Sequence, residues 1–181
     1  LDLFSILVLV LASSQALMFT YMLILLFDSR YVTFANVMKH AAPSLVFILL
    51  YVVSCCIEAD VCVYSLAEWR ACVVHNLPLA VRTLFGVTYT VQLFVYVRLF
   101  FRKKHRYITH LKELTGECIS KLELRWTMRA FLYALSIGIG AWVLLVCPGP
   151  IPEFSFSFLI VVFYPAFAWL YTNYHHTYEM L

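Results

Sequence analysis

The sequence predicts an all-α integral membrane protein, a bundle of about five transmembrane helices with the N-terminus outside and the C-terminus inside. The 181 residues are 64% hydrophobic and only 13% charged, whereas a soluble domain has about 45–50% apolar and about 25% charged residues. The apolar residues also form continuous runs of about 20, the length that crosses a bilayer as a helix. These runs lack the alternation that the strands of a membrane barrel need.

Five apolar runs predict the five spans, which together form a single polytopic domain. The predicted spans are about 3–27, 43–60, 77–101, 124–147 and 154–173. The first resembles a signal peptide near "ASSQA", but no basic segment precedes it, so we predict an uncleaved helix. The chain begins with leucine and stops soon after the last span, and we expect it to be a fragment of a longer protein.

Positive charge sets the predicted orientation. Six of the 13 Lys and Arg residues lie close together at the end of the third span and just after it. They are Arg98, Arg102, Lys103, Lys104, Arg106 and Lys112. Loops rich in Lys and Arg stay in the cytoplasm, so this segment is predicted to be cytoplasmic. The loop 58–76 and the "PGPIPE" segment then lie outside.

The same cluster is interpreted as an inner-leaflet basic patch. Its predicted partner is the bilayer itself, through anionic lipids of the inner leaflet. The patch residues are Arg98, Arg102, Lys103, Lys104 and Arg106. A sharper alternative is a site for nucleic acid or a regulatory lipid, although the segment lacks the interleaved aromatic residues that stack on bases.

The third helix is predicted to continue past the membrane as one arm of a basic cytoplasmic hairpin. Apolar residues between the charges recur at helical spacing. They are Phe100, Tyr107, Ile108, Leu111 and Leu114. Gly116 is expected to end this helix near Thr115, and "SKLE" (120–123) has the capping-box form that begins the next helix.

Prolines and caps predict several helix ends. Pro43 suits the first turn of the second helix, and Asn76 is expected to cap the third, with Pro78 in its first turn. The three prolines of "PGPIPE" are expected to break the chain outside. Pro165 lies inside the fifth span and should kink it. "SLAEWR" (65–70) is predicted to form a short helix at the outer membrane surface.

Arg82 is the most informative single residue, because a charge inside a span is costly and needs a partner or water. The candidate outer site comprises Arg82, Glu58, Asp60, His75, Trp69 and Arg70. Three interpretations stay open: Arg82 reaches the outer headgroups, forms a structural ion pair with Glu58 as the closer acid, or binds a small-molecule or peptide ligand from outside.

We predict no enzymatic activity, no cofactor and no metal site. Catalytic motifs and carboxylate pairs are absent from the spans. "HHTYE" (175–179) has no second cluster to complete a metal site. The six cysteines match no zinc spacing and are expected to be buried free thiols, with a disulfide between Cys62 and Cys72 left open.

The arrangement resembles a known family of bacterial membrane proteins. The residues that carry the resemblance are the basic hairpin "RLFFRKKHRYITHLKEL", the following "LELRW", and the aromatic exit "YTNYHHTYEML". Together they resemble, over most of the chain, the N-terminal membrane domain of membrane-tethered AraC-type transcription regulators. The resemblance implies a sensory or anchoring role, with DNA bound only through a helix-turn-helix domain that this sequence does not contain.

Two functions are predicted. The first is a membrane-embedded input module of a signalling or transcription-regulatory protein, with its output domain after Leu181 and a homodimer as a compatible assembly. The alternative is a self-contained small transporter, channel or accessory membrane protein. Lining a pore needs polar faces on several helices, and only the third span carries many polar residues.

Overall fold

The computed structural model describes residues 2–115, 120–147 and 149–179. Across these ranges the chain forms six α-helices and one 3₁₀ turn, and no strand. The helices are α1 (Ile6–Phe27), α2 (Phe34–Ile57), α3 (Leu66–Cys72), α4 (Leu77–Thr115), α5 (Ser120–Val146) and α6 (Pro150–Glu179), with the 3₁₀ turn (Ser29–Tyr31) between α1 and α2. All but α3 are long and apolar enough to cross a membrane, which confirms the helical membrane class and indicates a multi-pass protein.

Helix α2 begins earlier than predicted. Its cap is Thr33, whose hydroxyl accepts from the backbone N–H of Asn36 at 3.4 Å. Pro43 therefore lies inside the helix, and the prediction that it occupies the first turn is wrong. The error has a physical cause: Lys39 and His40 lower the hydropathy of the first turns, but polar residues form helix as readily as apolar ones.

Helix α4 confirms that the third helix continues as one helix to Thr115. It runs for 39 residues without a break, which is about 58 Å at 1.5 Å per residue. Asn76 caps it as predicted, its Oδ1 accepting from the N–H of Leu79 at 3.0 Å, and Pro78 lies in the first turn. Gly116 and the side chains of Leu111 and Leu114 lie outside the described part of the chain.

Helices α5 and α6 also begin before the predicted spans. α5 begins at Ser120, the residue expected to cap it, and the capping side chains lie outside the described residues. α6 begins at Pro150 and has Pro152 in its first turn, so the prediction that these two prolines break the chain is wrong. First-turn N–H groups have no partner within the helix, and proline therefore fits there. Pro165 lies inside α6, and its kink stays a prediction.

The centre of the bundle is formed by α1, α4 and α5. The largest cluster of buried apolar residues comprises Val8, Leu9, Ala12, Phe85, Tyr89, Ala141, Leu144 and Leu145. Gly86 belongs to this contact, because a Cβ there would lie 2.6 Å from the ring of Phe4. Nearer the C-terminal end of α4, the rings of Phe100 and Phe131 stack at 3.9 Å between centroids, so aromatic packing joins α4 to α5.

Helices α2 and α6 lie at the periphery of the bundle. Leu49 on α2 and Val161 on α6 are 65% and 67% exposed, and most of the apolar residues near them are also exposed. In a membrane these faces are covered by lipid or by another protein. The homodimer stays a prediction.

The short helix α3 confirms the helix predicted from "SLAEWR". Ser65 caps it, its hydroxyl accepting from the N–H of Glu68 at 3.2 Å. The indole Nε1 of Trp69 donates to the hydroxyl of Thr83 on α4 at 3.0 Å, and its ring packs against the cluster of Leu3, Val63 and Leu79. Trp69 therefore docks α3 onto the bundle, and contact of α3 with the membrane surface stays a prediction.

Candidate functional site

A polar cluster surrounds Arg82 near the start of α4. The Arg82 side chain is only 2% exposed. Its Nη1 donates to the Asp2 carboxylate, and its Nη2 donates to the backbone carbonyl of Val61 at 2.8 Å and lies 3.2 Å from Asp60 Oδ1. The guanidinium is thus held by two carboxylates and one carbonyl, as a buried charge requires.

Glu58 does not pair with Arg82, so the prediction that it would be the closer acid is wrong. Its Oε2 accepts from the backbone N–H of Leu77 at 2.9 Å, where a carboxylate stabilises the positive end of α4. The chain turns after Ile57, the last residue of α2. This turn brings Asp60 to the guanidinium, and the hydroxyl of Tyr51 donates to Asp60 Oδ2 at 2.8 Å.

Asp2 is the partner that sequence reasoning missed. The prediction considered only acids of the loop between the second and third spans, on the assumption that helices adjacent in sequence pack together. In the structure α1 packs extensively against α4, and Asp2 precedes α1. A signal was present, because Asp2 is the only acid before the first span and the predicted topology places it on the outer side.

The remaining predicted outer-site residues do not join the ion pairs. Trp69 binds Thr83, while Arg70 and His75 are exposed. Asn76 contributes to the fold of the loop, its Nδ2 donating to the carbonyl of Ala59 at 3.0 Å. Of the six predicted residues, the structure therefore brings Arg82 and Asp60 together directly.

A second ion pair joins the same two helices at their other end. Lys103 of α4 is largely buried, and its Nζ lies 2.8 Å from Asp28 Oδ2, directly after α1. The ammonium also lies 3.5 Å from the centre of the Tyr31 ring, a favourable cation–π contact. Asp28 was not predicted from the sequence, because nothing there distinguishes it from an ordinary loop residue at the end of the first span.

The Arg82 cluster and the Lys103–Asp28 ion pair are separated by about the thickness of the hydrocarbon core of a bilayer. Along α4, Lys103 lies about 32 Å from Arg82, at 1.5 Å per residue. The hydrocarbon core of a bilayer is about 30 Å thick. α1 lies between their partners, Asp2 and Asp28, and runs parallel to α4. The pair of helices is therefore fastened by charge at both ends and by apolar packing between them.

The Asp28–Lys103 pair predicts an acid-sensitive contribution to stability. The hydrogen bond from Lys103 holds the pKa of Asp28 below its ordinary value of 3.8, so the unfolded chain takes up this proton more readily. The contribution is full above pH 3.8 and is lost as the pH falls through the lowered pKa. About a third of Asp28 is exposed, so Asp28→Asn should cost about 1 kcal/mol at neutral pH. The melting temperatures of the wild type and of Asp28→Asn should converge as the pH is lowered. A difference that stays constant with pH would contradict the ion pair between Asp28 and Lys103.

Polar residues of the middle of α4 bind neighbouring helices. Gln92 Nε2 lies 3.2 Å from the hydroxyl of Ser44 on α2, and the hydroxyl of Tyr89 donates to the carbonyl of Gly138 on α5 at 3.2 Å. The indole of Trp142 donates to the hydroxyl of Thr90 at 3.0 Å. Such interhelical hydrogen bonds are typical of packing between membrane helices.

The residues of the basic patch differ in their surroundings. Arg98, Arg102 and Arg106 are exposed, whereas Lys103 is buried in its ion pair and Lys104 is partly buried against Met128, 3.6 Å from the sulfur. The patch is therefore not one uniform surface.

The cysteines correct another prediction. Cys55, Cys56, Cys62, Cys72 and Cys147 are free thiols, and all but Cys72 are exposed on the protein surface. The expectation of buried thiols is wrong for the described cysteines because α2 presents Cys55 and Cys56 on its outward face. Cys118 lies outside the described residues.

Comparison of the chain with known protein families, curated proteins and solved structures finds no match. The resemblance to the membrane domain of AraC-type regulators therefore stays a prediction from sequence.

Proposed function

We propose that the chain is the membrane-embedded input module of a signalling or transcription-regulatory protein. In this proposal α1 and α4 form a rigid core that connects the outer polar cluster to the cytoplasm. The module anchors a cytoplasmic output domain through the C-terminal helix, and that domain carries any DNA-binding or kinase activity. The membrane is the inner membrane of a bacterium.

The observation that carries the proposal is the continuity of α4. One helix carries both Arg82 and Lys103, which lie about 32 Å apart along it, and it continues to Thr115, about 18 Å past Lys103. A rigid element that spans both faces is what couples events on the two sides of a membrane. A helix pinned by charge at both boundaries also fixes the depth of the module in the bilayer.

The outer cluster supplies a place for a ligand. Arg82 Nε is buried and has no acceptor among the described residues, although the other nitrogens of the guanidinium are engaged. A buried donor of this kind needs an acceptor, and a neutral carbonyl or hydroxyl oxygen suits it better than an anion, because two carboxylates already flank the single guanidinium. We therefore propose a small polar molecule or a peptide as the ligand, bound between the start of α4 and the loop that carries Asp60.

The proposed orientation has the N-terminus outside and the C-terminus inside. It rests on the exposed arginines near the inner end of α4, since positive loops remain cytoplasmic. Single cysteines in a cysteine-free background, one at the exposed Arg70 beside Trp69 and one at Gly149, should react with a membrane-impermeant maleimide in intact cells. A cysteine at the exposed Arg102, near Lys104, should react only after lysis. Labelling at Arg102 in intact cells would contradict the orientation.

The full reading frame tests the function. A helix-turn-helix or kinase domain encoded after Leu181 supports an input module. A stop codon at that point contradicts it and favours the self-contained small transporter, channel or accessory protein. If an output domain is found, Arg82→Gln in the full-length protein should change its activity while the protein stays in the membrane.

A further inference from the structure

A cleft of about 330 Å³ opens where the inner end of α4 meets the turn after α1. Its charged lining consists of Arg30, Lys103, Arg106 and Asp28, with His110 at one side. The volume lies at the lower end of the range for small-molecule sites, about 300–1,000 Å³. The cleft can hold one headgroup-sized ligand.

The cleft carries net positive charge, with three cations against one carboxylate. Lys103 is paired with Asp28 at 2.8 Å and therefore offsets the one negative charge. The other two cations, Arg30 and Arg106, lie on exposed parts of different elements, the 3₁₀ turn and α4. Guanidinium groups bind phosphate oxygens through two parallel hydrogen bonds, and two of them that line one cleft from different elements suit a phosphate.

The depth of the cleft agrees with the level of lipid phosphates. If Arg82 marks the outer edge of the hydrocarbon, Lys103, about one bilayer core away, marks the inner edge. Arg106 and His110 then lie about 4 Å and about 10 Å beyond that edge. The headgroup layer on each side of a bilayer is about 5–8 Å thick, from the difference between total and hydrocarbon thickness. The cationic walls of the cleft therefore lie within this layer.

We propose that the cleft binds the phosphate of one anionic phospholipid of the inner leaflet. The site goes beyond the input-module function and rests only on the orientation proposed above. It also differs from diffuse attraction between the basic patch and the membrane, because Arg98 and Arg102 are also exposed but do not line the cleft. The proposal predicts one retained lipid that depends on Arg30 and Arg106.

The test compares two double variants with matched loss of charge. Arg30→Gln/Arg106→Gln removes the charges of the two exposed arginines that line the cleft, and Arg98→Gln/Arg102→Gln removes the charges of two arginines outside it. Each purified chain in neutral detergent receives phosphatidylglycerol, and native mass spectrometry counts the bound lipid. The wild type and the control should retain one lipid, and the cleft variant should bind at least about tenfold more weakly, since charged hydrogen bonds are lost. Arg106→Gln alone serves as a second variant if the double variant does not fold.

Each other outcome overturns the proposal. An equal loss of bound phosphatidylglycerol in the two double variants would show that the lipid is held by diffuse attraction to the basic patch. Unchanged lipid binding in the cleft variant would show that the lipid binds elsewhere. Equal retention of phosphatidylcholine, which carries no net charge, would remove the anionic selectivity. Displacement of the lipid by an equal concentration of inorganic phosphate would show that the cleft takes a soluble anion.

Discussion

Replacement of Arg82 by leucine should destabilise the folded bundle by about 3–5 kcal/mol, the cost of removing one member of a buried ion pair. The Asp2 and Asp60 side chains are only 16% and 24% exposed, and both would lose their cation in a poorly hydrated place. The Val61 carbonyl would lose its donor as well. Unfolding by sodium dodecyl sulfate in mixed micelles, followed by circular dichroism, measures the change.

Second substitutions that restore stability show whether Arg82→Leu acts by breaking an ion pair or by a loss of packing. Adding Asp2→Asn and Asp60→Asn to Arg82→Leu should recover much of the lost stability, because no charge is then stranded. Adding Glu58→Gln should recover nothing, since Glu58 binds the start of α4 and not the guanidinium. Glu58→Gln alone should cost about 1 kcal/mol or less, the usual effect of a charge at a helix end.

A small effect of Arg82→Leu would point to a different location of the side chain. Exposed ion pairs are worth about 0–1 kcal/mol. A loss in that range would mean that Arg82 reaches the headgroups in the membrane and that the outer cluster is not preformed. The ligand hypothesis would then lose its structural basis, because it depends on a buried guanidinium held in place by two carboxylates.

The number and class of the helices were predictable because both depend on apolar length. A backbone inside a bilayer must satisfy its own hydrogen bonds, so a continuous apolar run becomes a helix. The same criterion misplaces helix ends. Thr33 to Lys39 are helical or capping, yet they are too polar to count as a span, and the predicted start of α2 at Pro43 is therefore nine residues late. Where a specific cap was present, as at Asn76 and Ser65, the start was predicted correctly.

The partners of the charges were less predictable, because they depend on which helices pack together. Arg82 was correctly singled out, since a buried charge demands an explanation wherever it lies in a span. The choice of Glu58 assumed that the second and third spans meet at that level. The two spans do meet there, but Asp60 and not Glu58 reaches Arg82, and further pairs join α4 to both flanks of α1, through Asp2 and Asp28. Only the three-dimensional arrangement places these acids beside Arg82 and Lys103.

Replacement of Phe100 by alanine should cost about 2–3 kcal/mol. Phe100 is fully buried and stacks on Phe131 with the two ring planes nearly parallel, at 1°. In soluble proteins, replacement of a buried phenylalanine by alanine costs about 3–5 kcal/mol. Part of this cost is the lost free energy of transferring the side chain out of water. Lipid tails are as apolar as the protein core, so the transfer part is reduced in a bilayer and the loss of packing remains.

Phe94 provides the matched control, because it lies on the same helix but is 72% exposed. Its replacement by alanine should change the free energy of unfolding by less than about 0.5 kcal/mol, as for other exposed positions. The same detergent titration serves both variants. If Phe94→Ala and Phe100→Ala were equally destabilising, the contact of α4 with Phe131 would not be specific. The ring stack would then not fix the inner end of α4, and the rigid core proposed for the module would extend only from the outer cluster to the middle of the membrane.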